Sequence, residues 1–328
     1  MEVATDLDQV VEELRSADKL LLTTHENPDG DALGSLLATH QILMQLGKDA
    51  LMFMAADEFP LPHEYRYMDF NGLVHDPPAD VHERTIVFLD CGNIDRMPVD
   101  FLQQDNLHIL NIDHHHDNTR FGTVNLVVGN ASSTAEIVYT IAKGLGAEVT
   151  PEIAEALYVA IVTDTGRFMY ENTTAETHRV AADLVDLGVD VHNVYRRLYE
   201  DLPFGRLELL ARALSRVGRF DDGALTYTYL TREDYEQTHS LETDSEGIVD
   251  HIRAVQGTAV AALVRDLLSE DRAGVRKVSL RATDGRVDVS RIARGHGGGG
   301  HRQAAGFSTE LPVEELVERL RVEVREQL

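Results

Sequence analysis

Three short apolar runs that end on acids and histidines constrain this chain more than any other feature. KLLLTT (19–24) leads into His25-Glu-Asn-Pro-Asp29-Gly-Asp31, TIVFLD (85–90) ends on Asp90, and HILNID (108–113) ends on Asp113 with His114, His115 and His116 behind it. Apolar runs of this length, bounded by turn residues, read as strands of a mostly parallel sheet covered by other elements. ALMFMA (50–55) has the same character, and the AIVTD run ends on Asp164, followed by Thr165 and Gly166, which adds a further acid to the set. The crevice of an open α/β sheet lies outside the carboxyl ends of its strands, so acids and imidazoles placed there converge on one site.

The remaining pattern sets the domain plan. At roughly 150 residues per domain, two domains are expected of 328 residues. Helical spacing is found over 6–17 and from Ala32 to Leu46, where Gly47 ends it. Helical patterns then dominate from Ser133 to about Gly218, including a run with Pro151 at its first helical position and a long one, VYRRLYEDLPFGRLELLARALSRVG. Beyond it, ALTYTYLT, TAVAALVRDL and RKVSLRAT read as strands, with helices around 245–256 and 312–327. The expected fold is α/β: a mostly parallel sheet flanked by helices over 1–195, a helical linker over 196–220, and a smaller C-terminal α/β domain over 221–328.

Composition excludes several classes. The lone Cys91 rules out an intramolecular disulfide framework and any Cys-rich zinc site, and MEVATDLDQV lacks the basic and apolar regions of a secretory leader. No run reaches the length of about 18 apolar residues that a membrane helix needs. A cytoplasmic, membrane-free location is the expectation. Thirty basic residues against 56 acidic ones give a net charge of -26, and the lysines are only Lys19, Lys48, Lys143 and Lys277. Such a field opposes binding to long duplex nucleic acid. It fits a halophilic setting, where salt screens the self-repulsion.

Carboxylates mixed with imidazoles suit Mn²⁺ or Mg²⁺ rather than a thiolate-seeking metal. One ion needs only three or four of these groups, so the surplus points to two ions a few ångströms apart, a clamp for phosphoryl displacement. Taken singly, Asp29-Gly-Asp31 is an ordinary turn with a helix N-cap, and Asp90 or Asp164 a cap for the next turn. Their co-occurrence in order is what argues for a site. A second signal is Gly295-His-Gly-Gly-Gly-Gly-His301-Arg-Gln-Ala-Ala-Gly306. Its glycines let the backbone approach a ligand and present N–H groups to an anion, while the absence of a following Lys-Ser/Thr excludes a Walker-type loop.

His25-x-x-x-Asp29-x-Asp31, Asp90, Asp113-His114-His115 and Asp164 resemble, in order, the four motifs of the DHH phosphoesterase superfamily, and Gly297–Gly306 resembles the GGGHxxAAG signature of the DHH-associated C-terminal domain. Within that superfamily the chain looks like the NrnA group, stand-alone nanoRNases that also act on 3'-phosphoadenosine 5'-phosphate. It lacks the additions that mark RecJ-type exonucleases and the membrane-bound cyclic-dinucleotide enzymes, and the glycine-histidine signature sets it apart from family II pyrophosphatases.

The resemblance implies one ion on His25, Asp29 and Asp90 and a second on Asp31, Asp90, His114 and Asp164, with Asp90 shared. It implies that Asp113 orients a neighbouring imidazole and that His115 contacts the scissile phosphate and helps protonate the leaving oxygen. Arg281, Gly299, Gly300 and His301 would hold the terminal nucleotide, the arginine through a bidentate grip on phosphate. His116 is expected to face solvent, and Cys91 to be structural. The implied reaction is hydrolysis of short RNA oligonucleotides and linear dinucleotides to mononucleotides, with removal of the 3' phosphate from 3'-phosphoadenosine 5'-phosphate as a further activity. Two divalent cations, Mn²⁺ first and Mg²⁺ second, would serve it, and a homodimer is compatible with it. The rival readings are a RecJ-like single-strand exonuclease and a non-catalytic nucleotide-binding protein on the same scaffold.

Overall fold

The computed structural model describes residues 2–97, 99–104, 106–200, 202–300 and 302–328, the side chains of 2–5 and 271 excepted. The chain divides into two compact units, Met1–Asp201 and Leu202–Leu328.

The first unit runs α1 (Glu2–Ser16), β1 (Lys19–Thr23), α2 (Gly30–Gln45), β2 (Asp49–Phe53), β3 (Leu73–Val74), β4 (Thr85–Leu89), β5 (Ile109–Asp113), β6 (Val124–Val127), α3 (Thr134–Leu145), α4 (Pro151–Asp164), α5 (Ala175–Asp186) and α6 (Val191–Tyr199). Its six strands lie in the order β3-β2-β1-β4-β5-β6, and every pairing is parallel. The apolar runs are buried because the sheet is covered on both faces. Leu20, Leu22, Val87, Leu89, Leu110 and Ile112 point into a core shared with α1–α5, whereas Leu21, Ile86, Phe88 and Ile109 meet Val81, Met97, Phe101 and Leu102 from short 3-10 segments and loops. Alternate residues of one strand thus serve two separate cores. Truncating Phe88, fully buried in the second, to alanine would cost about 3–5 kcal/mol.

The chain order reverses between β1 and β4, and the loops after these strands meet at this switch point, outside the carboxyl ends of the sheet. Helices α2 and α4 approach unusually closely beside it. A Cβ at Gly34 would lie 2.4 Å from the Ala156 carbonyl oxygen, and one at Gly30 would lie 2.3 Å from Thr163 Oγ1.

The second unit runs α7 (Phe204–Ser215), β7 (Gly218–Phe220), β8 (Leu225–Leu230), α8 (Arg232–Thr238), α9 (Ile248–Arg253), β9 (Val260–Asp266), β10 (Arg276–Ala282), α10 (Val289–Gly295), β11 (Gly299–Gly300), β12 (Ala304–Thr309) and α11 (Val313–Arg325). The sheet order is β11-β12-β10-β9-β8-β7, mixed in direction, with β8 and β9 parallel and the other pairs antiparallel. Val260, Ala262 and Val264 of β9 pack toward α10 and α11, while Ala261 and Leu263 pack toward α7–α9.

The long helical pattern expected to end at Gly218 is two helices. α6 ends at Tyr199, and Pro203, which lacks an N–H and disfavours helix in the residue before it, stands at the N-cap of α7. Helices α8 and α10 and the strands β3, β6, β7, β11 and β12 had no counterpart in the sequence reading, and β7 falls in the stretch expected to be helical linker.

Candidate metal centre

Strands β1, β4 and β5 are neighbours in the sheet, so the loops leaving their carboxyl ends are neighbours too. His25 and Asp29 follow β1, Asp90 follows β4, and Asp113, His114 and His115 close β5. Asp164 arrives differently. It is the last residue of helix α4, not the end of a strand. The AIVTD run is apolar because α4 is buried on nearly every side, with Ile153, Ala154 and the whole stretch Ala156–Val162 inaccessible.

The side chains form three overlapping groups in which one ligand atom from each member lies within 4.8 Å of the others: His25-Asp29-Asp90, Asp31-His114-Asp164, and Asp90-His114-His115. Asp90 belongs to two of them. His25 Nε2 is 3.6 Å from Asp90 Oδ2, and His114 Nε2 is 3.5 Å from Asp90 Oδ1, 3.8 Å from Asp31 Oδ2 and 3.7 Å from Asp164 Oδ2. All six residues expected as metal ligands therefore meet in one place.

Each ligand is held by the backbone or by a second side chain. Asp29 Oδ1 accepts from Asp31 N and Ala32 N, both at 3.1 Å, as the N-cap of α2. Asp31 accepts from Thr134 N at 2.6 Å and Ala135 N at 3.1 Å, so the N-terminus of α3 lends it two amides and the positive end of its dipole. Asp90 adopts a left-handed φ of 58°, a costly conformation for a non-glycine residue, and accepts from Thr134 Oγ1 at 3.1 Å. Asn172 Nδ2 donates to Asp164 Oδ2 at 3.1 Å. The His25 Nδ1 lies 2.7 Å from the Glu26 carbonyl oxygen and the His114 Nδ1 lies 3.4 Å from that of Ala131, which leaves both Nε2 atoms turned to the carboxylates. Asp113 is not in the ligand groups; its Oδ1 lies 2.7 Å from His115 Nδ1, and its Oδ2 accepts from Asn118 Nδ2 at 2.6 Å. The imidazole that Asp113 orients is thus His115.

Electrostatics fit a cationic occupant. Asp31 and Asp90 are buried, and among the described residues no lysine or arginine pairs with them, with Asp29 or with Asp164. Burial, together with Asp90 and Asp164, pushes the Asp31 carboxyl well above its ordinary range. Burial, aided by Asp90 and Asp29 and opposed by His114, raises Asp164 to about 7. Burial opposes ionisation of Asp90 as well, but His25, His114 and His115 around it hold it below the usual range. Burial would lower His115, yet the Asp113 hydrogen bond and the Asp90 charge push it up to about 9. Crowded carboxylates with protonation forced on some of them, and imidazole Nε2 atoms interleaved, are a donor set that divalent cations satisfy and monovalent side chains do not.

His116 is exposed, and Glu26 is exposed too. The buried Cys91 thiol donates to the Asn93 carbonyl at 3.1 Å and is raised to about 12 by burial, which makes it inert. In the second unit, Arg281 of β10 pairs with Ala304 of β12, and Ala305 pairs with Gly300 of β11. Arg281 and the Gly299–Gly300 strand thus share one end of the sheet, two strand spacings or roughly 10 Å apart. A Cβ at Gly300, where φ is 127°, would lie 2.6 Å from the Ala304 carbonyl oxygen, so only glycine fits there. His301 lies outside the described residues.

The sequence reading missed Thr134, Ala135, Asn118, Asn172 and Arg96, whose Nη2 is 3.1 Å from His25 Nδ1. One signal was available: Ser133 stands three residues before Glu136 and N-caps α3, the arrangement that marks a helix start.

Comparison with known proteins agrees with this geometry. The model of the DHH family, N-terminal domain, matches residues 19–161, and that of the DHHA1 domain matches 226–328. The chain is 36% identical over 326 residues to the bifunctional oligoribonuclease and PAP phosphatase NrnA of Thermus thermophilus, covering 97% of this chain and 93% of that one. It is 26% identical to the protein of the same description from Bacillus subtilis, with 89% of each covered. Among solved structures, an exopolyphosphatase-related protein from Bacteroides fragilis superposes with a TM-score of 0.87 at 24% identity, covering 98% of this chain and 96% of that one. RecJ of Thermus thermophilus in complex with Mn²⁺ superposes with a TM-score of 0.57 at 14% identity, covering 97% of this chain and 54% of that one.

Proposed function

The chain belongs to the DHH family, and on that premise we propose that it is a metal-dependent phosphodiesterase that hydrolyses short RNA oligonucleotides and linear dinucleotides to mononucleotides and removes the 3' phosphate from 3'-phosphoadenosine 5'-phosphate. The observation that carries this reading is the pair of ligand groups, His25-Asp29-Asp90 and Asp31-His114-Asp164, with Asp90 3.5 Å from His114 and so between them. The NrnA relatives support the substrate class.

His25, Asp29 and Asp90 would hold one divalent cation and Asp31, Asp90, His114 and Asp164 the other. When bound, such a pair activates water and neutralises the charge that grows on a phosphoryl group in displacement. Mn²⁺ is the preferred ion in this reading and Mg²⁺ the second. The protein's own contribution is orientation and proton control. Asp113 and Asn118 fix the His115 ring through Nδ1, which leaves Nε2 as the donor to the departing oxygen, and the upward shift of His115 keeps that proton in place at neutral pH. Residues 1–195 would carry this chemistry and 221–328, after the 196–220 stretch, the grip on the terminal nucleotide through Arg281, Gly299, Gly300 and His301. The acid-rich exterior keeps long duplexes away and suits a salt-rich cytoplasm. Among the described residues no helix is long and apolar enough to cross a membrane.

A substrate panel tests the reading. Purified protein with Mn²⁺ is offered labelled dinucleotides, longer RNA and DNA oligomers, 3'-phosphoadenosine 5'-phosphate and pyrophosphate. Fastest turnover on the shortest RNAs is expected. Preference for long single strands would favour the RecJ-like reading, and binding without turnover the non-catalytic one.

A further inference from the structure

Arg96 brings a guanidinium to the metal centre, and the phosphoesterase reading gives it no task. It ends the 3-10 turn Ile94–Arg96 that follows β4, and its carbonyl accepts the Glu26 N–H at 2.6 Å, which ties the loop after β1 to the loop after β4. Its half-buried guanidinium sits with Nη2 3.1 Å from His25 Nδ1. That nitrogen also lies 2.7 Å from the Glu26 carbonyl oxygen, which can only accept. Nδ1 therefore carries the proton, the tautomer that leaves Nε2 free toward Asp90. Two N–H donors face each other, so the contact gives the guanidinium no acceptor.

Nor is it neutralised elsewhere. Among the described residues no carboxylate pairs with Arg96, although the chain has 56 acids to 30 bases, whereas Arg84 holds two and Arg216 and Arg265 hold one each. Its guanidinium stands beside His25, and its charge makes His25, Cys91 and His115 less basic. A planar, always-charged fork held beside a cluster of ligands, with donors unspent, is built to receive an oxyanion.

We propose that Arg96 binds a non-bridging oxygen of the phosphate being cleaved. The proposal rests on the phosphoesterase reading and adds a substrate contact from the first unit itself. The backbone tie between Glu26 and Arg96 does not involve the guanidinium, so the side chain is free for this task.

Arg96→Gln and Arg96→Lys test it. Calorimetry on the Mn²⁺-loaded protein gives the Kd for inorganic phosphate, a second titration gives Mn²⁺ affinity without phosphate, and steady-state rates on a linear dinucleotide give KM and kcat. Arg96→Gln should weaken phosphate and raise KM on the order of ten- to a hundred-fold, with Mn²⁺ affinity kept or tightened, and Arg96→Lys should recover part of the loss. An unchanged phosphate Kd in Arg96→Gln, or a loss that tracks weakened Mn²⁺ binding, would overturn the proposal and leave Arg96 as a support for His25. Absence of Mn²⁺-dependent turnover in the wild type would instead refute the phosphoesterase reading, an outcome the phosphate titration distinguishes.

Discussion

Without divalent cations the protein should become less stable as pH rises, and the crowding of Asp164 and Asp31 sets the sign. Asp164 is raised from an ordinary 3.8 to about 7 by burial and by Asp90 and Asp29. Between those values the unfolded chain has lost its proton while the folded one keeps it, so stability falls by about 1.4 kcal/mol for each pH unit. Across the window this amounts to ~4 kcal/mol at most, which for a unit of this size is roughly 10 °C in Tm. Asp31, raised by burial and by Asp90 and Asp164, acts in the same direction. So does His115, raised to about 9: its contribution is present in full below 6.5 and lost as pH climbs through 9. Asp90, held low, is ionised throughout the window and adds no slope there. Thermal melts in a chelator should show Tm dropping from pH 5 to pH 8, and Mn²⁺ should restore it most at the alkaline end. Calorimetry in buffers of different ionisation enthalpy should find protons released on Mn²⁺ binding near pH 6.5. A chelated protein whose Tm is flat or rises over that range, with no proton released, would refute the idea that crowded carboxylates await a cation.

Asp90→Ala should abolish turnover while the far-UV spectrum stays native, and more than a few per cent residual activity would sink the shared-ligand assignment. His115→Ala should chiefly lower kcat, whereas Arg281→Ala should chiefly raise KM, a split that steady-state kinetics reads directly. Asp234 accepts from Arg216 Nη2 at 2.8 Å and Thr231 N at 2.8 Å, and although its burial opposes ionisation these partners hold its carboxyl low; Asp234→Asn should destabilise the second unit on the order of 2 kcal/mol above pH 4, and the difference from wild type should fade as pH falls through the depressed value, as urea titrations would show. With a net charge of -26, Tm should rise between roughly 0.1 M and 1 M KCl as the Debye length shrinks to about 3 Å, and a flat or falling Tm would show the acidic surface to be incidental.

The candidate ligands were legible in the sequence because their chemistry is local: an acid or imidazole directly behind a buried run names its own place at the end of an element. Asp164 was legible as a candidate ligand, and Pro151 at the first helical position marked the run before it as a helix, although α4 is buried on nearly every side and its apolar residues lack one-sided spacing. The supports were harder. Thr134 and Ala135 reach Asp31 across more than a hundred residues of chain, and they do so with backbone amides, which every residue has. Arg96 carries no spacing signal toward His25; only the adjacency of β1 and β4, set by the strand order, brings them together. In the second unit the apolar strands were visible, but α8 and α10, each of seven residues, are too short to show a helical period.

The tight seam between α2 and α4 bears on which ion the candidate centre would prefer. Asp29 and Asp31 stand at the start of α2, Asp164 at the end of α4, and Gly30 and Gly34, having no side chain of their own, let α2 press against Thr163, Ala160 and the Ala156 carbonyl of α4. The seam works as a gauge block: its thickness sets how far the carboxylate of one helix stands from those of the other. A methyl group at Gly34, aimed at the Ala156 carbonyl, would wedge the helices apart and widen the gap without altering a single ligand. If these carboxylates hold a metal, discrimination between a smaller and a larger cation would be stored partly in glycines that touch neither, and a lineage could retune its metal by trading glycine for alanine one turn along the helix from Asp31.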